Sequence, residues 1–160
     1  MACVVFAGAA LLLLTGCAAA SGDHGAASSG RVKATGWRFV LPATASPEQV
    51  VRLYLDALSV KDVDTAAHLL TPQRARDLSG AADSWFTNIN SLTDVRVGTA
   101  RPEPLQGTAA RGYHHATFVP VDFTLQQKHE YSMPNGPTAW GYVLVRNSAK
   151  ERWLIVDEGV

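Results

Sequence analysis

A sixteen-residue segment, YHHATFVPVDFTLQQK at residues 113–128, constrains the fold more than any other stretch of this 160-residue chain. Apolar side chains recur in it at every second position, which is the period of a β-strand with one buried face. The apolar face comprises Val119, Val121, Phe123 and Leu125, and the polar face comprises Asp122, Thr124 and Gln126. Pro120 has no N–H to donate to a neighbouring strand, so we expect a bulge or a sheet edge at that position.

Residues 46–58 predict the first helix. Ser46 is a typical N-cap residue, Pro47 suits the first helical position, and Gln49 completes a capping box. The apolar residues that follow recur with a period close to 3.6, as expected of one buried helix face. They are Val50, Val51, Tyr54, Leu55, Ala57 and Leu58.

Two shorter helices are predicted after the polar break SVKD. The first of them restarts at Asp62 and carries apolar residues at helical spacing as far as Leu70. The residue before a proline is disfavoured in the helical region, so Thr71 ends that helix and caps the next. This third helix is expected to begin at Pro72 and to end near Gly80.

Further strands are predicted on both sides of residues 113–128. The segments LTDVRVGTA, TAWGYVLVR and RWLIVDE have strand character, and turns are predicted at MPNG and NSAKE. Helices followed by antiparallel strands indicate an α+β domain with the helices packed on one face of the sheet. The expected core draws on both kinds of element and includes Val50, Leu58, Leu70, Val119, Val121, Phe123, Trp153 and Ile155.

The amino-terminal residues predict a secretion and anchoring signal. Residues 2–14 are apolar and uncharged, and as a helix they would span roughly 20 Å, less than the ~30 Å hydrocarbon core of a bilayer. That length is typical of a signal-peptide core. The tetrad LTGC at residues 14–17 resembles the bacterial lipobox, in which the cysteine is acylated and becomes the first mature residue. Residues 1–22 carry no charge, and we expect the usual basic residues to be encoded upstream.

These features divide the chain into four predicted parts. The parts are a lipoprotein signal peptide at 1–16, the lipidated Cys17 and a flexible tether at 17–30, an extended arm at 31–45, and the folded domain at 46–160. The tether is small and polar, as flexible linkers are. The arm is predicted because Trp37, Phe39 and Leu41 alternate. This organisation predicts an extracytoplasmic domain held at the cell membrane through Cys17.

Charge and cysteine content exclude several functions. The 14 lysines and arginines balance the 14 acidic residues, which gives no electrostatic reason to expect nucleic-acid binding. Cys3 lies in the predicted signal peptide and Cys17 is the lipidation site. The mature domain therefore has no thiol for a disulfide, a cysteine-ligated zinc ion or a cysteine nucleophile.

The segments SPEQVVRLYLDALSVKDVDTAAHLLTP and ERWLIVDEG, in this order, resemble the nuclear transport factor 2-like superfamily. The resemblance covers residues 46–160, and the matching residues are Pro47, Glu48, Lys61, Asp62, Trp153, Ile155 and Asp157. It implies that the helices lie in the hollow of a strongly bent antiparallel sheet, which forms a cone. It also implies homodimers formed through the exposed face of the sheet.

No residue pattern in the sequence indicates a catalytic or metal site. His114 and His115 are adjacent on a predicted strand and therefore point to opposite faces, and no metal-ligand spacing occurs. Asp122 lies on the polar face, whereas Asp157 shares the parity of Ile155 and could face inward. We therefore predict no metal, no cofactor and no catalytic residue.

A set of five aromatic residues is the candidate pocket. Binding pockets are mostly apolar with a few polar groups, although aromatic side chains fill a core equally well. The set consists of Tyr54, Trp85, Phe86, Trp140 and Tyr142.

Two functions stay open at this point. The first is a non-catalytic envelope domain that binds a protein partner or a small apolar ligand. The second, implied by the resemblance, is a ketosteroid isomerase-like or SnoaL-like enzyme of the isomerase, hydratase or cyclase type, acting on a small apolar substrate.

Overall fold

The structure is a computed structural model that describes residues 41–80, 84–106, 108–131 and 133–159. Four helices precede five strands. The helices are α1 (Pro47–Val60), α2 (Val63–Leu69), α3 (Pro72–Gly80) and α4 (Ser84–Asn88). The strands are β1 (Ile89–Val97), β2 (Arg101–Pro102), β3 (His115–Gln127), β4 (Gly136–Arg146) and β5 (Leu154–Gly159). The predicted signal peptide, the tether and residues 31–40 of the arm lie outside the described residues.

Helix α1 begins where the sequence predicts, because a capping box satisfies its first free N–H groups. The Ser46 hydroxyl accepts from the Gln49 N–H at 3.3 Å, and the Gln49 side-chain oxygen accepts from the Ser46 N–H at 2.8 Å. The helix ends at Lys61, whose backbone adopts the left-handed conformation with φ 61°. The predicted buried face of α1 is confirmed from Val50 to Leu58.

Helices α2 and α3 follow the predicted break closely. Asp62 is the N-cap of α2, and its carboxylate accepts from the backbone N–H of Thr65 at 3.0 Å and from the Thr65 hydroxyl at 2.6 Å. These two hydrogen bonds lower the pKa of Asp62 below its usual value. Leu70 is extended and not helical, and it forms a parallel bridge to Ile155 before α3 begins at Pro72.

The strands form one antiparallel sheet, so the α+β class is confirmed. The order is β1-β3-β4-β5, and the short β2 pairs with β3 beyond the end of β1. The buried face of β3 joins the helices in a single core, to which the sheet also contributes Tyr142, Leu144 and Ile155. Val119, Val121, Phe123 and Leu125 are all buried, as predicted from their alternation.

Pro120 lies in the interior of the sheet, so the predicted edge is wrong and the predicted bulge lies in the neighbouring strands. Its pairing with Gly141 of β4 is in regular register. On the other side, Val97 lies opposite Val121 and Arg101 lies opposite Phe118. The three residues 98–100 therefore face the two residues 119–120. The Gly98 N–H donates to the Pro120 carbonyl at 2.8 Å. In an antiparallel sheet, a residue directs its N–H and its C=O to the same neighbouring strand. The N–H that proline lacks would therefore have pointed to this irregular segment, where no regular ladder needs it.

Strand β5 departs from the predicted parity. Leu144 pairs with Ile155, but the residue before it in β4, Val143, pairs with Asp157. Val156 is therefore the extra residue of a bulge. The bulge reverses which side chains face the helices. Asp157 is exposed and Glu158 takes the inward position, so the inward orientation considered for Asp157 is wrong.

Candidate functional site

The structure gathers the five predicted aromatic residues at the boundary of helices and sheet. Tyr54, Phe86 and Tyr142 are buried in the core, whereas Trp85 and Trp140 are partly exposed. The Tyr54 and Tyr142 rings meet edge to face with centroids 5.6 Å apart. The two indoles are stacked, with centroids 5.7 Å apart and planes 20° from parallel. Thus the set forms two ring pairs and one separate ring, and it lines neither of the two open clefts described below.

A salt bridge that the sequence did not indicate lies beside Tyr142. Glu158 lies opposite Tyr142 in the β4–β5 register and forms a salt bridge of 2.8 Å with Arg74 of α3. The Tyr142 hydroxyl has no hydrogen-bond partner among the described residues. Burial raises the pKa of Tyr142 well above its usual value, and the nearby Glu158 charge and Tyr54 raise it further. Tyr142 is therefore a neutral, enclosed phenol at ordinary pH.

One open cleft, of about 490 Å³, lies on the face of the sheet opposite the helices. Asp94, Arg96 and Asp122 contribute its charged lining. Asp94 has φ 54° within an irregular part of β1, and its carboxylate accepts from the Thr124 hydroxyl at 3.0 Å. Asp122 is exposed, as predicted for the polar face of β3. This cleft is acidic overall, because two carboxylates face one guanidinium.

The second open cleft, of about 410 Å³, is here called the Arg146 cleft. It lies where β2 and the first residues of β3 meet the last residue of β4. Its polar and aromatic lining consists of Arg101, Glu103, His114, His115, Thr117, Arg146 and Trp153. Trp153 was expected in the core, but it precedes β5 and is only partly buried. The Arg146 guanidinium lies over its ring, 4.2 Å from the ring centroid.

Both adjacent histidines line the Arg146 cleft, and the prediction that both lie on a strand is wrong. Strand β3 begins only at His115, and strand alternation does not extend to His114. Nδ1 of His114 is 3.0 Å from the Asn147 carbonyl oxygen, which ties it to the β4–β5 turn. His115 pairs directly with Arg146 in the β3–β4 register. The sequence gives no indication of this arrangement, because it depends on the residue at which β3 begins to pair with β4.

Two properties of the described residues bear on broad classes of function. No group of three or more His, Cys, Asp or Glu side chains among them is placed to hold a metal ion. Within the same residues, no helix combines the length and the apolar character needed to cross a membrane.

The comparisons with known proteins show a likeness of fold. No family model matches the chain, and no curated protein matches it. The solution structure of a SEC-C motif-containing protein from Rhodopseudomonas palustris is similar, with a TM-score of 0.52 and 16% sequence identity. The alignment covers 75% of this chain and 81% of that protein. At this identity the similarity concerns the fold alone.

This finding corrects the family resemblance drawn from the sequence. The matching fold is that of a SEC-C motif-containing protein, so the assignment of residues 46–160 to the nuclear transport factor 2-like superfamily is wrong. The assignment rested on capping and packing residues such as Pro47 and Ile155. Such residues report local helix starts and buried strands, which unrelated α+β domains share.

Proposed function

We propose that this chain is a bacterial lipoprotein whose folded domain binds a ligand or partner in the cell envelope without catalysing a reaction. The observation that carries the proposal is the LTGC tetrad at residues 14–17, which follows an uncharged apolar run and precedes a small, polar linker. The length of that run suits a signal peptide better than a membrane span. Lipid on Cys17 then holds the domain at the outer side of the cell membrane.

We further propose that the sheet curves around the helices. Support comes from the shared core, in which α1 to α3 pack on the single face that carries Val121 and Tyr142. Support also comes from the irregular registers of β1 and β5, because a bulge bends its strand and increases the local twist. The homodimer implied by the family resemblance is not retained, because that resemblance is wrong.

Binding without catalysis is favoured by where the ionisable groups lie. Tyr142, which is buried, and Glu158, which is partly buried, line neither open cleft. Catalysis requires a substrate within hydrogen-bond reach of the reacting acid or base. The open clefts instead offer charged side chains, two histidines and the aromatic residues Phe123 and Trp153, which suits reversible recognition. A tether at the membrane also raises the local concentration of such a domain near its partner.

The lipid anchor is tested by replacing each of the two cysteines in turn. Cys17→Ser should abolish incorporation of labelled palmitate and leave the protein unprocessed or released from the membrane fraction. Cys3→Ser is the matched control, because it removes a thiol from the predicted leader and should leave labelling and mature mass unchanged. Equal labelling and equal mature mass in the Cys17→Ser and parent proteins would refute the proposal.

A further inference from the structure

We infer that the Arg146 cleft is a binding site for an oxyanion, a phosphate or carboxylate group, held by the guanidinium of Arg146. This inference rests on the proposed binding function and names the chemistry of the ligand's polar end. It assigns a role to a residue that the sequence analysis passed over.

The position of Arg146 over Trp153 suits it to bind an anion. Its guanidinium carbon lies over the Trp153 ring, 4.2 Å from the ring centroid, which is a cation–π contact. Stacking occupies the face of a guanidinium and leaves its N–H groups, which lie in the plane at the edge, free for hydrogen bonds. The ring therefore fixes the orientation of the donors before any ligand arrives, which lowers the entropic cost of binding.

One donor of Arg146, Nε, is enclosed and lacks an acceptor among the described residues. Among those same residues, the salt bridge of the domain joins Arg74 to Glu158 and does not involve Arg146. An enclosed N–H group without an acceptor is a cost to the folded protein. A phosphate or carboxylate group presents two oxygens that match the fork of donors on a guanidinium and would supply the missing acceptor.

The balance of charge along the cleft also favours an anion. Arg101 and Arg146 face one acid, Glu103, so the lining carries a formal excess of one positive charge. His115 lies directly opposite Arg146 and its imidazole adds a further hydrogen-bonding group beside the guanidinium. The other open cleft has the reverse balance, with Asp94 and Asp122 against Arg96. Of these two clefts, the electrostatics therefore direct an anion to the Arg146 cleft.

Titration calorimetry on the full mature lipoprotein in a non-ionic detergent tests the inference. The probes are inorganic phosphate, acetate and glycerophosphoglycerol, the water-soluble headgroup of phosphatidylglycerol. We expect saturable binding of at least one probe. Tightest binding of glycerophosphoglycerol would identify a lipid headgroup as the source of the oxyanion, whereas tightest binding of phosphate or acetate would identify a free solute.

Three variants make the result specific to Arg146. Arg146→Met keeps the apolar stem and should weaken binding about tenfold or more, as expected when a charge-assisted hydrogen bond is lost. Arg146→Lys keeps the charge but loses the planar fork, and should weaken binding several-fold. Arg96→Met removes the same charge from the other cleft and should leave affinity within about twofold. Thermal melts establish that each variant is folded.

The inference is overturned if no probe binds saturably, or if Arg146→Met and Arg146→Lys bind like the parent protein. Membrane fractionation of the same preparations reads the lipid anchor separately. If the protein is anchored to the membrane but binds no oxyanion, only the ligand assignment is refuted. If the protein binds an oxyanion but is not anchored, only the lipoprotein proposal is refuted.

Discussion

Replacing Tyr142 by phenylalanine should stabilise this protein. The phenol ring is fully buried, and its hydroxyl has no hydrogen-bond partner among the described residues. A buried polar group left unpaired costs about 1 to 3 kcal/mol. Phenylalanine removes the hydroxyl and keeps the ring, including its edge-to-face contact with Tyr54 at 5.6 Å. We therefore expect the free energy of unfolding of Tyr142→Phe to rise by about 1 kcal/mol at pH 7.

The same substitution should change how stability depends on pH. The pKa of Tyr142 is raised in the folded protein, so as pH rises the unfolded chain loses its phenolic proton first, near pH 10. The contribution of Tyr142 to stability is thus fully present below pH 10 and is lost as pH rises through the folded-state pKa. Tyr142→Phe should show a shallower loss of stability above pH 10.

Urea unfolding followed by circular dichroism at pH 7 and above pH 10 measures both effects. Tyr131→Phe is the matched control, because Tyr131 is 74% exposed and its hydroxyl is solvated. Its free energy of unfolding should stay within about 0.5 kcal/mol of the parent value. A destabilisation of Tyr142→Phe by about 1 kcal/mol or more would refute the reasoning, because it would mean that the hydroxyl makes a favourable hydrogen bond in the folded protein.

Two further substitutions test the packing of the sheet. Phe123→Ala should lower the free energy of unfolding by about 3 to 5 kcal/mol, because the side chain is 3% exposed and its loss leaves a cavity; urea unfolding measures the change, and a value near zero would contradict the assigned strand face. Gly141→Ala should destabilise by about 1 to 3 kcal/mol, because a Cβ at this position would overlap the ring of Phe118; the double variant with Phe118→Ala should show a much smaller additional cost for the alanine, and equal costs would exclude that ring as the cause.

The sequence predicts the local features of this fold well. The start of α1 depends on Ser46, Pro47 and Gln49, which lie within one turn of each other, so their meaning does not depend on the rest of the chain. The buried face of β3 is equally predictable, because the apolar residues alternate from Val119 to Leu125 whichever strands pair with β3. Both features are determined by residues that lie close together in the sequence.

Features that depend on register were not predictable. A single extra residue at Val156 exchanges the roles of Asp157 and Glu158, and nothing in the letters RWLIVDE marks that bulge. The stacking of Arg146 on Trp153 depends on how two strands pair after a polar turn. These are long-range outcomes of sheet assembly, and they decide which side chains face a cleft.

The two longer edge strands of the sheet, β1 and β5, are closed to a further strand in different ways. Along β5, the Thr71 N–H donates to the Ile155 carbonyl at 2.9 Å, so the junction of α2 and α3 occupies that edge. Along β1, the register shifts twice within nine residues, and Asp94, which adopts a left-handed conformation, lies within the second shift. An incoming strand would find no continuous row of N–H and C=O groups on either side. Copies crowded side by side are thereby hindered from polymerising through their backbones, even at a density that would make a smooth edge aggregate.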